Sequence, residues 1–168
     1  MHHDVKTTKR MKMVPEGLEF RMGNVTDIPA ILELQKEFFA LTQFEKLGIE
    51  VSDWNSEKYL TLLFENNFAP HIFAFVDGKM VGWLTYSYDM SYFRHPIAVL
   101  NTIFVTKKYR RTAVARLLVD AAMNMAKEDM ASTFIAPVNS GSPHIQSLGN
   151  MLSKAGFEPS GYIMSRRL

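Results

Sequence analysis

At 168 residues the chain has the length of one ordinary domain, with little room for two separate cores. Hydrophobic residues at 47%, aromatics at 12% and charged residues at 21% exclude wholesale disorder, and a formal charge of +2 is too small to point to a nucleic-acid or membrane partner. With no cysteine there is no disulfide framework, thiolate nucleophile or Cys-rich zinc site, and no apolar run approaches the roughly 20 residues of a membrane span.

Residues 1–17 (MHHDVKTTKRMKMVPEG) read as a polar, basic extension without periodicity and without an apolar signal-peptide core, so a cytoplasmic protein is expected. From Leu18 the folded domain is expected to run to Leu168. Leu18, Phe20 and Met22 alternate with Glu19 and Arg21, the pattern of a half-buried strand. Thr26-Asp27-Ile28-Pro29 opens a helix with a capping side chain and an early proline, and its apolar face (Ile28, Ile31, Leu32, Phe38) runs through Phe39. A second helix is predicted from about Asn55 to Glu65.

His71 to Val76 reads as a strand, Asp77-Gly78 as a tight hairpin turn, and Met80 to Tyr88 as the return strand. Ile97 to Val105 is almost wholly apolar, as a central strand should be. Tyr109 to Lys127 carries Val114, Leu117, Leu118, Ala121, Ala122 and Met125 at helical spacing. Thr133 to Val138 reads as a buried strand, Ser142-Pro143 as the cap of a helix that ends at Gly156, and Phe157 to Leu168 as one or two closing strands. The order β-α-α-β-β-β-α-β-α-β predicts an α/β sheet of mixed direction with helices on its faces.

The chemistry is expected in the segment from Ile103 to Leu118. A buried strand stops, a basic loop follows (Lys107, Lys108, Arg110, Arg111), and a helix begins with the small residues Ala113 and Ala115. Main-chain N–H groups and the dipole at a helix N-terminus attract anions, and small side chains let a pyrophosphate approach them closely. A solvated basic turn is the plainer alternative.

Arg110-Arg111-Thr112-Ala113-Val114-Ala115 resembles the signature of the GNAT acyltransferase superfamily: Arg or Gln, two residues, Gly, one residue, then Gly or Ala. Ala113 stands in place of the first glycine. Upstream, FVDGKMVGWLTYSY looks like the family's second and third strands. Downstream, Asn150 to Phe157 is similar to its last helix with the Lys-x-Gly-Phe ending, and Gly161 to Arg167 to its closing strand. The pattern is also similar to short GNAT proteins of tailed bacteriophages, which would make a virion-associated location an option. The resemblance implies a mostly antiparallel, mixed sheet of six to seven strands with helices on both faces. It implies acetyl-CoA as donor and a small-molecule or protein amine as acceptor, with homodimerisation allowed and neither membrane nor nucleic acid expected. Ile103, Phe104 and Val105 would line the pantetheine arm, Arg110, Arg111, Thr112, Ala113, Val114 and Ala115 would take the pyrophosphate, and Asn139 and Asn150 would complete the donor site.

Direct attack of a neutral amine on a thioester needs a base, since a lysine-like ammonium has a pKa near 10.4, and a donor for the oxyanion, for which a main-chain N–H near Val105 would serve. The tyrosine that many family members place four residues before the helix-ending glycine is Leu152 here, and Ile97 to Val105 and Thr133 to Val138 carry no Asp, Glu or His. Candidate substitutes are Asn101 and Thr102 within the strand, Asp89, Tyr92 and His95 before it, and Glu45 or Asp53 between the first helices; turn or sheet roles explain each of them as well. His2, His3, His71, His95 and His144 lack ligand spacing, so no metal is expected. Tyr86, Tyr88, Tyr92 and Phe93 with Arg94 are better explained by packing than by stacking on nucleic acid. The expected activity is N-acetyl transfer from acetyl-CoA to a primary amine. The alternative is a non-catalytic GNAT-fold binding or assembly module.

Overall fold

β1 (Leu18–Met22) keeps its alternation from Leu18 to Arg21, but Met22, expected on the buried side, is exposed at the strand's end; the strand pairs antiparallel with β2 (His71–Val76), from Leu18 opposite Val76 to Met22 opposite Ile72. The structure, a computed structural model, describes residues 13–41, 52–66, 69–90, 94–138 and 145–159, the side chains at 53 and 54 excepted. Ile72, Ala74 and Val76 of β2 enter one hydrophobic cluster while Phe73 and Phe75 enter another, so this strand is apolar throughout because both faces of the sheet are covered.

β2 turns into β3 (Lys79–Asp89) through Asp77-Gly78, both in the left-handed region (φ 51° and 75°), as a primed two-residue turn requires. β3 pairs antiparallel with β4 (Ile97–Val105), and β4 pairs in parallel with β5 (Thr133–Ile135). Among the described residues the sheet therefore has five strands in the order β1-β2-β3-β4-β5, not the six to seven expected. The closing segment from Gly161 lies outside the described residues. β5 also stops at Ile135, short of the expected Val138, because β4 runs beside it only from Ile97 to Val99.

Two helices cover one face. A short 3-10 turn (Val25–Asp27) leads into α1 (Ile28–Phe39), with Pro29 in the first turn. The cap is Asn24 and not the expected Thr26 or Asp27: Asn24 Oδ1 accepts from Thr26 N at 2.9 Å, and Asp27 Oδ2 accepts from Asn24 N at 3.0 Å. α2 (Asp53–Glu65) starts two residues before the predicted Asn55, its Ser52 hydroxyl accepting from Asn55 N at 3.3 Å. Ile31 of α1 and Leu60 and Phe64 of α2 pack with Phe73, Trp83 and Phe104 of the sheet.

The opposite face takes α3 (Val114–Glu128) and α4 (Ile145–Lys154). Val114, Leu118 and Ala122 of α3 are fully buried there. α3 begins at Val114 and not at the predicted Tyr109. Lys107–Tyr109 form a separate 3-10 turn, and Thr112 closes back on the Tyr109 carbonyl with both its N–H (3.0 Å) and its hydroxyl (2.7 Å), which keeps those residues out of the helix. α4 ends as predicted, with Gly156 at φ 91° and Phe157 N reaching back to Leu152 O at 3.1 Å. Arg116 of α3 donates to Lys154 O at 2.8 Å and pairs with Asp120, joining the two helices. No helix among the described residues is long and apolar enough to cross a membrane.

Candidate active site

β4 is the strand on which the site is built. Thr85 of β3 lies opposite Thr102, but Tyr86 lies opposite Leu100, so Asn101 is an extra residue bulged out of the ladder. On the other side, β5 pairs only with Ile97 to Val99. Past the bulge, among the described residues, no strand lies against the β5-side edge of Asn101 to Val105. Among the described residues, that stretch of β4 therefore presents a free main-chain edge.

The bulge also gathers polar side chains. Ser87 of β3 donates to Asn101 Oδ1 at 3.2 Å, which orients the exposed amide with its NH2 outward. Thr102 is half-buried beside it. His71, Thr85 and Thr102 form a row across β2, β3 and β4 on the α1/α2 face. The His71 ring lies 4.8 Å from Phe64, centroid to centroid, and its Nδ1 donates to Ala69 O at 2.6 Å. A carbonyl only accepts, so the proton sits on Nδ1 and the lone pair on Nε2. Burial pushes the His71 pKa down, against a smaller upward pull from Ala69 O, so the ring is neutral at pH 7. Two strand spacings, about 10 Å, separate it from Thr102.

The free edge of β4 leads to the loop before α3. Arg110 folds back, its Nε donating to Val105 O at 2.9 Å and its Nη2 pairing with Glu37 of α1. The same Glu37 oxygen accepts from Lys107 N at 2.6 Å. Arg111 is exposed, and Lys108 Nζ lies 5.1 Å from the centre of the Tyr109 ring. Ala113 has φ −76° and ψ −6°, ordinary right-handed backbone. Its N–H donates to Met13 O at 3.1 Å, so the end of the N-terminal extension lies across the turn. Val114 N makes a long contact of 3.4 Å to the Thr112 hydroxyl. Ala115 is half-buried, and the N–H groups of Ala115 and Arg116 fall in the first turn of α3, where no helical carbonyl precedes them.

The remaining expected residues lie elsewhere. Asp89, the last residue of β3, pairs with Ile97, and exposed His95 precedes β4. Asp89 thus sits about 13 Å along the strand from Asn101, four residues at strand rise, and His95 is six residues before Asn101 in the chain. Ile103 packs towards α3, and Phe104 is buried against Trp83 at 4.5 Å. Asn150 is exposed on α4, while Leu152 is buried in the α3-side core. Glu45, Tyr92, Phe93 and Asn139 lie outside the described residues, as do His2, His3 and His144; Asp53 lies in the first turn of α2.

Tyr86 and Tyr88 are core residues, as packing predicts. Tyr88 donates to Asp129 Oδ2 at 2.5 Å, which leaves Tyr86 to donate to the Tyr88 oxygen at 3.4 Å. Burial first, and then the Asp129 contact, push the Tyr88 pKa up, and burial does the same for Tyr86, so neither phenol acts as a base near neutral pH. Among the described residues no group of three or more His, Cys, Asp or Glu is placed to hold a metal ion. Sequence reasoning missed Glu37, Ser87 and the surroundings of His71. Strand alternation alone would have put Ser87 on the Thr85 face; nothing local marks Glu37, whose partner lies 73 residues away.

A β4 edge unpaired past Val99 among the described residues, a bulge at Asn101 and a small-residue turn opening the next helix follow one another along the chain, and the model of the acetyltransferase (GNAT) family matches residues 28–145. The chain belongs to the GNAT acetyltransferase family. No curated protein sequence matches it. Among solved structures, the GNAT chain is similar to the aminoglycoside N-acetyltransferase AAC(6')-Iy in complex with CoA, at 19% identity and TM-score 0.72, covering 93% of this chain and 99% of the other. It is similar to a ribosomal-protein-alanine N-acetyltransferase from Brucella melitensis biovar Abortus 2308, at 16% identity and TM-score 0.68 (89% and 99% covered). A possible acetyltransferase from Clostridium difficile 630 aligns at 17% identity and TM-score 0.72 (91% and 98%). At these identities the likeness is one of fold.

Proposed function

We propose that this GNAT protein transfers an acetyl group from acetyl-CoA to a primary amine carried by a small molecule or a protein. The observation that carries the reading is the edge of β4 from Asn101 to Val105, unpaired among the described residues and followed by the basic loop that opens α3. The residues fit the donor. An extended amide-bearing arm can pair with the free edge, and a diphosphate can face the N–H groups of Ala115 and Arg116 over small side chains, with Lys107, Lys108 and Arg111 nearby. Arg110 supports the loop from behind through Val105 and Glu37. The donor supplies a thioester carbonyl, whose thiol leaves readily because its pKa is near 8.5. CoA in the aminoglycoside acetyltransferase supports this donor, and the names of the neighbours support an amine acceptor.

A main-chain N–H near Val105 stabilises the developing oxyanion. No carboxylate or imidazole lies on the described β4 or β5. Proton removal therefore falls to water held at Asn101 and Thr102, or to amine that is already neutral. For an acceptor with pKa near 10.4, the neutral fraction at pH 7 is roughly one in a thousand or less, so the rate climbs with pH.

Thiol release from acetyl-CoA over a panel of primary amines, followed from pH 6 to 10, tests the reading. The expected profile rises without levelling at any side-chain pKa, and Asp89→Asn and His95→Gln retain most of the rate. A loss of about a hundredfold in either variant, with acetyl-CoA affinity unchanged, would identify a dedicated base and contradict this mechanism. Donor binding without turnover on any amine would favour a binding module.

A further inference from the structure

We propose that Glu37 is a positioning residue of the donor site, holding the loop between β4 and α3 in the form that presents N–H groups to a phosphate. The inference rests on the acetyl-CoA reading above. One carboxylate oxygen on α1 takes both the Lys107 main-chain N–H, at 2.6 Å, and the Arg110 guanidinium, whose Nε is anchored on Val105 O. An isolated surface ion pair contributes little. Here the carboxylate fixes backbone as well as side chain, and charge-assisted hydrogen bonds of this kind are shorter and stronger than neutral ones.

The place of Glu37 is itself fixed. The next residue, Phe38, packs at 5.6 Å from Trp83 and 5.8 Å from Phe104, which seats this end of α1 on β3 and β4. Arg110 is thereby turned inward, over the end of β4, and not out towards the α3 N-terminus. A donor phosphate then meets main-chain N–H groups first. The carboxylate also keeps the inward guanidinium compensated, where removing it would leave a half-buried charge free to swing into the phosphate's place.

The test is titration calorimetry of the full chain and of Glu37→Gln and Glu37→Ala, with acetyl-CoA and with S-acetylpantetheine, which lacks the phosphates. Glutamine keeps an acceptor for Lys107 N but loses the charge; alanine loses both. Acetyl-CoA should bind about threefold more weakly to Glu37→Gln and about tenfold more weakly to Glu37→Ala, while S-acetylpantetheine changes less than about twofold. Equal losses for the two ligands would mean general loosening of the fold and would overturn the assignment. So would unchanged or tighter acetyl-CoA binding to Glu37→Gln, since a freed Arg110 would then be serving the phosphate. If Glu37→Ala fails to fold, Glu37→Gln decides. A wild-type chain that binds neither ligand would overturn the donor reading itself, and this inference with it.

Discussion

At Ala113 a methyl group stands where the GNAT signature usually has glycine, and the backbone there is at φ −76°. Glycine is needed for positive φ or for close approach. The first need is absent, so alanine fits the turn without strain. His71 makes a different kind of statement, about pH. Its pKa is lowered in the folded protein, mainly by burial among Phe64 and Phe73 beside Thr85, so below about pH 6.5 the unfolded chain takes up a proton that the native ring resists. Stability is full above that pH and declines as pH falls, until the native ring titrates as well. Asp27 acts lower on the scale. Burial raises its pKa, but the Arg21 hydrogen bond, the Asn24 N–H and the Arg21 charge outweigh burial and hold it below the usual carboxylate range, so its contribution is lost only in stronger acid. Urea midpoints at pH 7.5 and 5.5 separate the two: the wild type should lose more stability over this interval than His71→Phe. An equal loss in both proteins would show that another group carries the acid sensitivity.

Among the elements, β2, the Asp77-Gly78 turn and β4 fall where the sequence places them, because alternation, a turn dipeptide and an unbroken apolar run are all local signals. The start of α3 was not legible. Residues 109–113 contain neither Gly nor Pro; the turn that Thr112 closes on Tyr109 O is held in place by tertiary contacts, Glu37 on Arg110 and Lys107, and Met13 on Ala113. The basic composition of the loop was legible; the inward turn of Arg110 was not. The bulge at Asn101 was equally hidden, since it is a register shift between two strands and leaves no mark on either alone. Gly82 is a further element-level constraint. A Cβ there would lie 2.5 Å from Phe104 O, backbone that cannot move without shifting the end of β4. Gly82→Ala should therefore destabilise the protein by about 1–3 kcal/mol in a urea melt, and a neutral result would mean that β3 and β4 are less tightly apposed here than described.

For the whole molecule, one sheet carries two cores. α1 and α2 cover the face bearing Phe73, Trp83 and Phe104, while α3 and α4 cover the face bearing Leu84, Tyr86 and Leu100. The free edge of β4 lies between these layers, and on the proposed reading a donor held by the α3 loop would present its reactive end beside Asn101. That division of labour is the central claim, and it reduces to whether the free edge and the α3 turn bind an acyl-CoA. The measurement is calorimetric titration of the full chain with acetyl-CoA at low and high salt. The account predicts saturable binding, tighter than for acetate or a pantetheine fragment and weakened by added salt, because part of the attraction is screened charge. No heat and no thermal shift at millimolar acetyl-CoA would contradict it.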